Sequence, residues 1–125
     1  MIDINTKEII KEFKNAVEAK TYIKSLVCLI GSRMHATIGG LSSGTPVIPV
    51  SYSRKFEGLF SSLSYNHVIS LLELDTQECV ARTMTELFSI HTLRKDVVKA
   101  NRIATDRINE MKETIAIDLM KHYGQ

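Results

Sequence analysis

The sequence predicts an α/β fold: a parallel sheet of about three strands with flanking helices, followed by a long C-terminal helix. Three observations carry that reading. Residues 26–30, Leu26-Val27-Cys28-Leu29-Ile30, and residues 46–50, Pro46-Val47-Ile48-Pro49-Val50, are short apolar runs bounded by Gly, Ser and Pro, the pattern of strands buried within a parallel sheet. The small-residue segment between them, residues 34–41, has the length of a crossover helix, so the three pieces form a βαβ unit. Beyond residue 75, apolar positions recur at three- and four-residue steps almost to the end of the chain, which is helical spacing. At 125 residues the chain is one domain, able to bury a core without a metal or disulfide staple. It divides into a helical segment at 1–25, a βαβ core at 26–74 and C-terminal helices at 75–125.

The elements follow in order. Residues 3–20 are predicted to be helical, with Asn5 or Thr6 as cap and Ile9, Ile10, Phe13 and Val17 on one face; a short turn of helix at 19–25 leads into the first strand, residues 26–30. The helix after it is expected to begin near Ser32 and to end at Gly44, ahead of Pro46. The second strand, residues 47–51, contains Pro49, which argues for a short strand or one near an edge. Residues 67–71 read as the third strand. Asp75 then caps a helix in which Glu78 is placed to return a capping bond, with Val80, Met84, Leu87 and Phe88 at helical spacing. From Leu93 onward, Val97, Ala100, Ala104, Ile108, Met111, Ile115 and Leu119 form one long stripe, and self-association through it is expected because the stripe outruns the sheet that could cover it.

Composition excludes several classes of function. Lys and Arg total 16 against 14 Asp and Glu, a net charge of +2, too balanced to imply nucleic acid. Arg94, Lys95, Lys99, Arg102, Arg107 and Lys112 alternate with acids off the apolar stripe, as on a solvated helix face. No apolar run approaches the roughly 20 residues that cross a bilayer. Cys28 and Cys79 are not spaced as metal ligands and no secretory signal is visible, so reduced thiols, a cytoplasmic location and at most peripheral contact with the inner membrane are expected. No cofactor and no metal is expected.

Chemistry concentrates where the strands end. In a parallel sheet ligands bind outside the carboxyl ends of the strands, here Gly31-Ser32-Arg33-Met34-His35 and Ser51-Tyr52-Ser53-Arg54-Lys55. Gly31 is expected to permit a tight strand-to-helix turn. A helix starting near Ser32 presents unpaired N–H groups and its positive end to an anion; Arg33 adds a planar fork suited to phosphate or carboxylate. His35, less than a helical turn further on, can bind the same anion or move protons. Ser53, Arg54 and Lys55 supply a second anion contact, with a solvated loop as the equal alternative for Arg54.

Three ordered blocks, Gly31-Ser32-Arg33-Met34-His35-Ala36-Thr37-Ile38, Ser42-Ser43-Gly44-Thr45-Pro46-Val47-Ile48-Pro49-Val50 and Tyr52-Ser53-Arg54-Lys55-Phe56-x-Gly58-Leu59-Phe60, resemble the C-terminal region of the polysaccharide pyruvyl transferase family, from about residue 19 to about residue 74. The resemblance implies a Rossmann-like domain, the partial C-terminal half of a GT-B-like fold. It implies phosphoenolpyruvate as donor substrate and a sugar or lipid-linked glycan as acceptor, in surface polysaccharide biosynthesis. It implies that Arg33 and His35 line the phosphoenolpyruvate site, and it carries Lys55 over with them. Family members place a whole N-terminal domain ahead of this point, so a missing N-terminal domain or a partner chain is expected to supply the acceptor side.

The chemistry that follows from the resemblance is ketal formation on a sugar diol: protonation of the donor's methylene carbon, attack by one hydroxyl, loss of phosphate and attack by the second hydroxyl. Arg33, Lys55 and the helix N-terminus would hold the anions and stabilise the leaving phosphate, with His35 as general acid or phosphate ligand. Two functional readings of different class stand at this point: the donor-binding portion of the enzyme, or a non-catalytic remnant or assembly module that binds a small phosphorylated ligand. A sugar-nucleotide glycosyltransferase is less well supported, because the acidic residue that would hold its donor is not evident.

Overall fold

The computed structural model describes residues 12–123, and the sheet is its organising layer. The chain runs α1 (Ala16–Lys24), β1 (Leu29–Gly31), α2 (Met34–Ser42), β2 (Val47–Ser51), α3 (Arg54–Ser62), β3 (Ile69–Ser70), α4 (Thr76–Phe88) and α5 (Ile90–Tyr123). The sheet has the order β1-β2-β3 with both pairings parallel. Leu29 is in register with Val47 and Gly31 with Pro49, while Val50 is in register with Ile69 and Ser51 with Ser70. The expected α/β class with three parallel strands, flanking helices and a long C-terminal helix is the observed one.

Element boundaries differ where a side chain competes with the backbone pattern. The predicted helix at 3–20 and turn at 19–25 are replaced, within the described residues, by the single α1; Asn15 caps it by accepting from Glu18 N–H at 2.8 Å, so helix starts after the Asn and runs through Lys24. The proposed caps Asn5 and Thr6 lie outside the described residues. The first strand begins at Leu29 and not Leu26, because Leu26 N–H still bonds back to the Ile23 carbonyl of α1 and Leu29 N–H is the first to reach the Pro46 carbonyl, at 2.8 Å. α2 starts at Met34 and not near Ser32, with Arg33 in the cap position. Its C-terminus is a Schellman motif: Thr45 N–H bonds Gly40 C=O and Gly44 N–H bonds Leu41 C=O, with Gly44 in the left-handed conformation at φ 80°.

Pro49 lies in the central strand, not at an edge. Backbone groups along a strand alternate in the direction they face. Pro46 C=O serves β1 and Ser51 C=O accepts from Leu71 N–H on the β3 side, so the donor that Pro49 lacks falls on the β3 side. There β3 is only two residues long, and the Tyr65 hydroxyl stands in for it: it accepts from Val47 N–H at 3.1 Å and donates to Val47 C=O. The same substitution explains why the third strand is shorter than the predicted 67–71. Tyr65 occupies the edge of β2 upstream of Ile69, and His67 is drawn to Glu86 and Asp96 (2.7 and 2.6 Å).

The core is built from Leu41, Val47, Ile48, Phe56, Phe60, Tyr65, Ile69, Cys79, Leu93, Val97 and Ala100. α2 approaches the sheet closely because of Gly40, where a Cβ would lie 2.8 Å from Val47 Cγ2 and 3.0 Å from Leu29 Cδ2. In α4 the capping box is present, Glu78 N–H to Asp75 Oδ1 at 2.8 Å and Asp75 N–H to Glu78 Oε2 at 3.4 Å. Of the four apolar residues expected at helical spacing, Leu87 packs against the core while Val80, Met84 and Phe88 are exposed, Phe88 at 83% and Val80 at 59%, since α4 turns Cys79, Leu87 and Glu86 inward toward the core and His67. No helix among the described residues is long and apolar enough to cross a membrane.

Candidate functional site

The adjacent parallel strands β1 and β2 end together, Gly31 opposite Pro49, and each leads within three residues into a helix. The N-termini of α2 and α3 therefore open on the same edge of the sheet. Neither cap residue, Arg33 or Ser53, makes a side-chain capping bond. In α2 the first intrahelical bond is Thr37 N–H to Arg33 C=O (3.0 Å), and in α3 it is Glu57 N–H to Ser53 C=O (3.1 Å). The N–H groups of Met34, His35 and Ala36, and of Arg54, Lys55 and Phe56, have no partner inside their helices, and each set carries the partial positive charge of a helix start.

The predicted site residues gather into two adjoining clefts. Arg33 and His35 line an open cleft of about 550 Å³ together with Met34, Ala36 and Tyr52. Ser32 and Ser53 both line a smaller one of about 150 Å³, shared with Met34, Tyr52 and Phe56. Arg33, His35, Arg54 and Lys55 are all exposed, and among the described residues none of the three cations is in a salt bridge. Arg54 and Lys55 begin α3 but line neither cleft. Gly31 is still in the strand and lacks a positive φ, so the expected tight turn does not depend on a glycine there, and an added Cβ would make an ordinary contact with Thr37 Cγ2 at 3.4 Å.

Local hydrogen bonds shape both strand ends. Ser51 Oγ donates to Ser53 C=O at 2.8 Å and accepts from Ser53 N–H at 3.1 Å, closing the loop after β2 and holding Ser53 against the smaller cleft. Thr37 Oγ1 bonds back to Arg33 and Met34 carbonyls (3.0 and 2.9 Å), tightening the first turn of α2. His35 also borders an apolar groove of about 460 Å³ between α1 and α2, with Phe13, Ala16 and Ile23. It thus sits where the polar cleft meets an apolar one.

Sequence reasoning missed two residues at this edge. Tyr52 lines both clefts and stands within the third block. Glu57, the unassigned position of that block, sits in the first turn of α3 and accepts from the Ser70 hydroxyl at 2.6 Å. Its carboxylate offsets the positive end of α3. The signal available was a lone acid one turn into a helix, where capping by itself is a sufficient reason for it.

Residues 2–54 match the family model described as polysaccharide pyruvyl transferase. Over that stretch the chain is similar to this family. The match covers under half of the 125 residues. It includes the first two blocks and Tyr52, Ser53 and Arg54 of the third, and stops one residue short of Lys55. No curated protein and no solved structure matches the chain significantly.

Proposed function

We propose that this chain is the donor-binding portion of a polysaccharide pyruvyl transferase, one that binds phosphoenolpyruvate at the edge where β1 and β2 end. The observation that carries the reading is the pairing of Arg33 and His35 in one cleft at the open N-terminus of α2. Phosphoenolpyruvate presents a phosphate and a carboxylate. Free amide N–H groups suit one anion and the Arg33 guanidinium fork the other. Ser32 and Ser53 offer hydroxyls at the smaller cleft, and Lys55, at the start of α3, would come to the ligand from the second strand end. His35 would protonate the methylene carbon or bind the phosphate. The acceptor, a sugar diol on a soluble or lipid-linked glycan, would be held by a further domain or partner chain, on the cytoplasmic side of the inner membrane. The family relationship supports this reading.

Calorimetric titration of the chain with phosphoenolpyruvate, beside the Arg33→Ala variant, tests it. Saturable binding that weakens at least about tenfold in Arg33→Ala is expected, the loss of one charge-assisted contact. Absence of binding would overturn the reading of this chain as a formed donor site. Binding without turnover in the assembled enzyme would favour instead the non-catalytic module that takes a small phosphorylated ligand.

A further inference from the structure

α5 is 34 residues long, about 51 Å at the helical rise, yet its buried residues are Leu93, Val97 and Ala100 only. Past Ala104 the same face continues as Ile108, Met111, Ile115 and Leu119, between 47 and 56% exposed. The steps along this stripe, three, four and four residues repeated, keep it on one side of the helix over its whole length. We propose that a second copy of this chain covers it, the two α5 helices packing antiparallel about a two-fold axis near residue 113.

Two independent features set the direction. The first is steric. The body of the molecule sits on this same face at Leu93, Val97 and Ala100, and paired helix axes lie about 8–10 Å apart. A parallel partner would have to pass through that body. An antiparallel partner runs from Ala104 outward and ends, near His122, where the body begins. In that register Ile108 faces Leu119 of the other copy, Met111 faces Ile115, and Ala104 faces His122. The stripe is self-complementary, as a two-fold interface requires.

The second is charge. Arg107 and Asp118 are exposed and flank the stripe on the same side. Antiparallel pairing brings like flanks together, so Arg107 meets Asp118 of the second copy, twice by symmetry. Parallel pairing brings opposite flanks together and sets Arg107 against Lys112, five residues on, also twice. Lys112 lies beside the antiparallel two-fold axis, where its flexible stem carries the ammonium out to water. Ile117 and Met120 fall on the far side of the helix and take no part in this seam.

Sedimentation equilibrium of the full chain provides the test, with circular dichroism reporting that each variant is folded. The wild-type chain is expected to be a dimer and Ile115→Asp a monomer with its sheet and shorter helices intact. Arg107→Glu and Asp118→Arg are each expected to raise the dimer dissociation constant about tenfold, and the double reversal to restore it. A monomeric wild-type chain overturns the proposal, whatever else covers the stripe, residues 1–11 included. A dimer tightened by Arg107→Glu overturns the antiparallel direction, because that is the response of a parallel pair facing Lys112. A dimer indifferent to Ile115→Asp overturns the stripe as its seam.

Discussion

At the scale of single residues, neighbouring positions of like type carry opposite consequences. Gly39 and Gly40 are consecutive in α2, and helix propensity alone makes Ala better than Gly at both by about 0.8–1 kcal/mol. At Gly39 no described atom lies within 4 Å of an added Cβ; at Gly40 the β-branched Val47 side chain, fully buried in the central strand, lies at 2.8 Å. The overpacking cost, about 1–3 kcal/mol, outweighs propensity at the second position only. Gly39→Ala is therefore expected to raise the midpoint of chemical denaturation and Gly40→Ala to lower it. Equal shifts of the same sign would show that α2 does not press on the sheet as described. Tyr65 illustrates the same locality: its hydroxyl satisfies both backbone groups of Val47, a role that no hydrophobicity pattern announces.

At the scale of elements, the helices after the sheet are held by a polar clamp as well as by apolar packing. His67, 8% exposed, places one ring nitrogen 2.7 Å from Glu86 of α4 and the other 2.6 Å from Asp96 of α5, with Tyr65 stacked edge-on at 4.8 Å. Removing the imidazole leaves two carboxylates facing each other without a donor, one of them 15% exposed and the other 32%. Because Asp96 retains solvent, the cost is put at about 2 kcal/mol, below that of a fully buried pair. His67→Ala is expected to lose that much stability by urea denaturation, and an unchanged midpoint would mean that apolar contacts alone dock α4 and α5. Asp75 and Glu78, by contrast, form a self-contained capping box, which is why the start of α4 was legible in the sequence within a single four-residue window.

At the scale of the whole molecule, stability is expected to fall in alkaline solution. Burial raises the Cys28 thiol above its ordinary 9.0, and burial pushes the Tyr65 phenol well above its usual range, the bond to Val47 only partly opposing it. Both groups are neutral when protonated, so a raised folded-state value means that the native state holds its protons more tightly than the unfolded chain. The resulting stabilisation is complete below about pH 9 and is lost as the pH climbs toward the folded-state values. Thermal melts from pH 7 to 11 should show a midpoint that is flat and then falls, and Cys28→Ala should fall less steeply because the thiolate also opposes ionisation of Tyr65. A midpoint unchanged up to pH 11 would contradict the burial of both groups.

Local chemistry determined much from the sequence alone. The βαβ order, the end of α2 at Gly44, the capping box at Asp75 and the placing of Arg33, His35 and Ser53 at strand ends all depend on residues within a few positions of one another. Packing between distant segments decided the rest. Pro49 argues for a short strand or one near an edge until Tyr65, sixteen positions later, is seen to take the place of the neighbouring strand. Val80, Met84, Leu87 and Phe88 show helical spacing, but only the folded chain shows that Leu87, with Cys79 and Glu86, is the side of α4 turned inward. Lys55 begins α3 without lining either cleft, and Glu57 enters the edge because Ser70, from a third strand, comes to meet it. Spacing records which residues can share a face; which face is covered is settled only when the folded chain brings its remote side chains together.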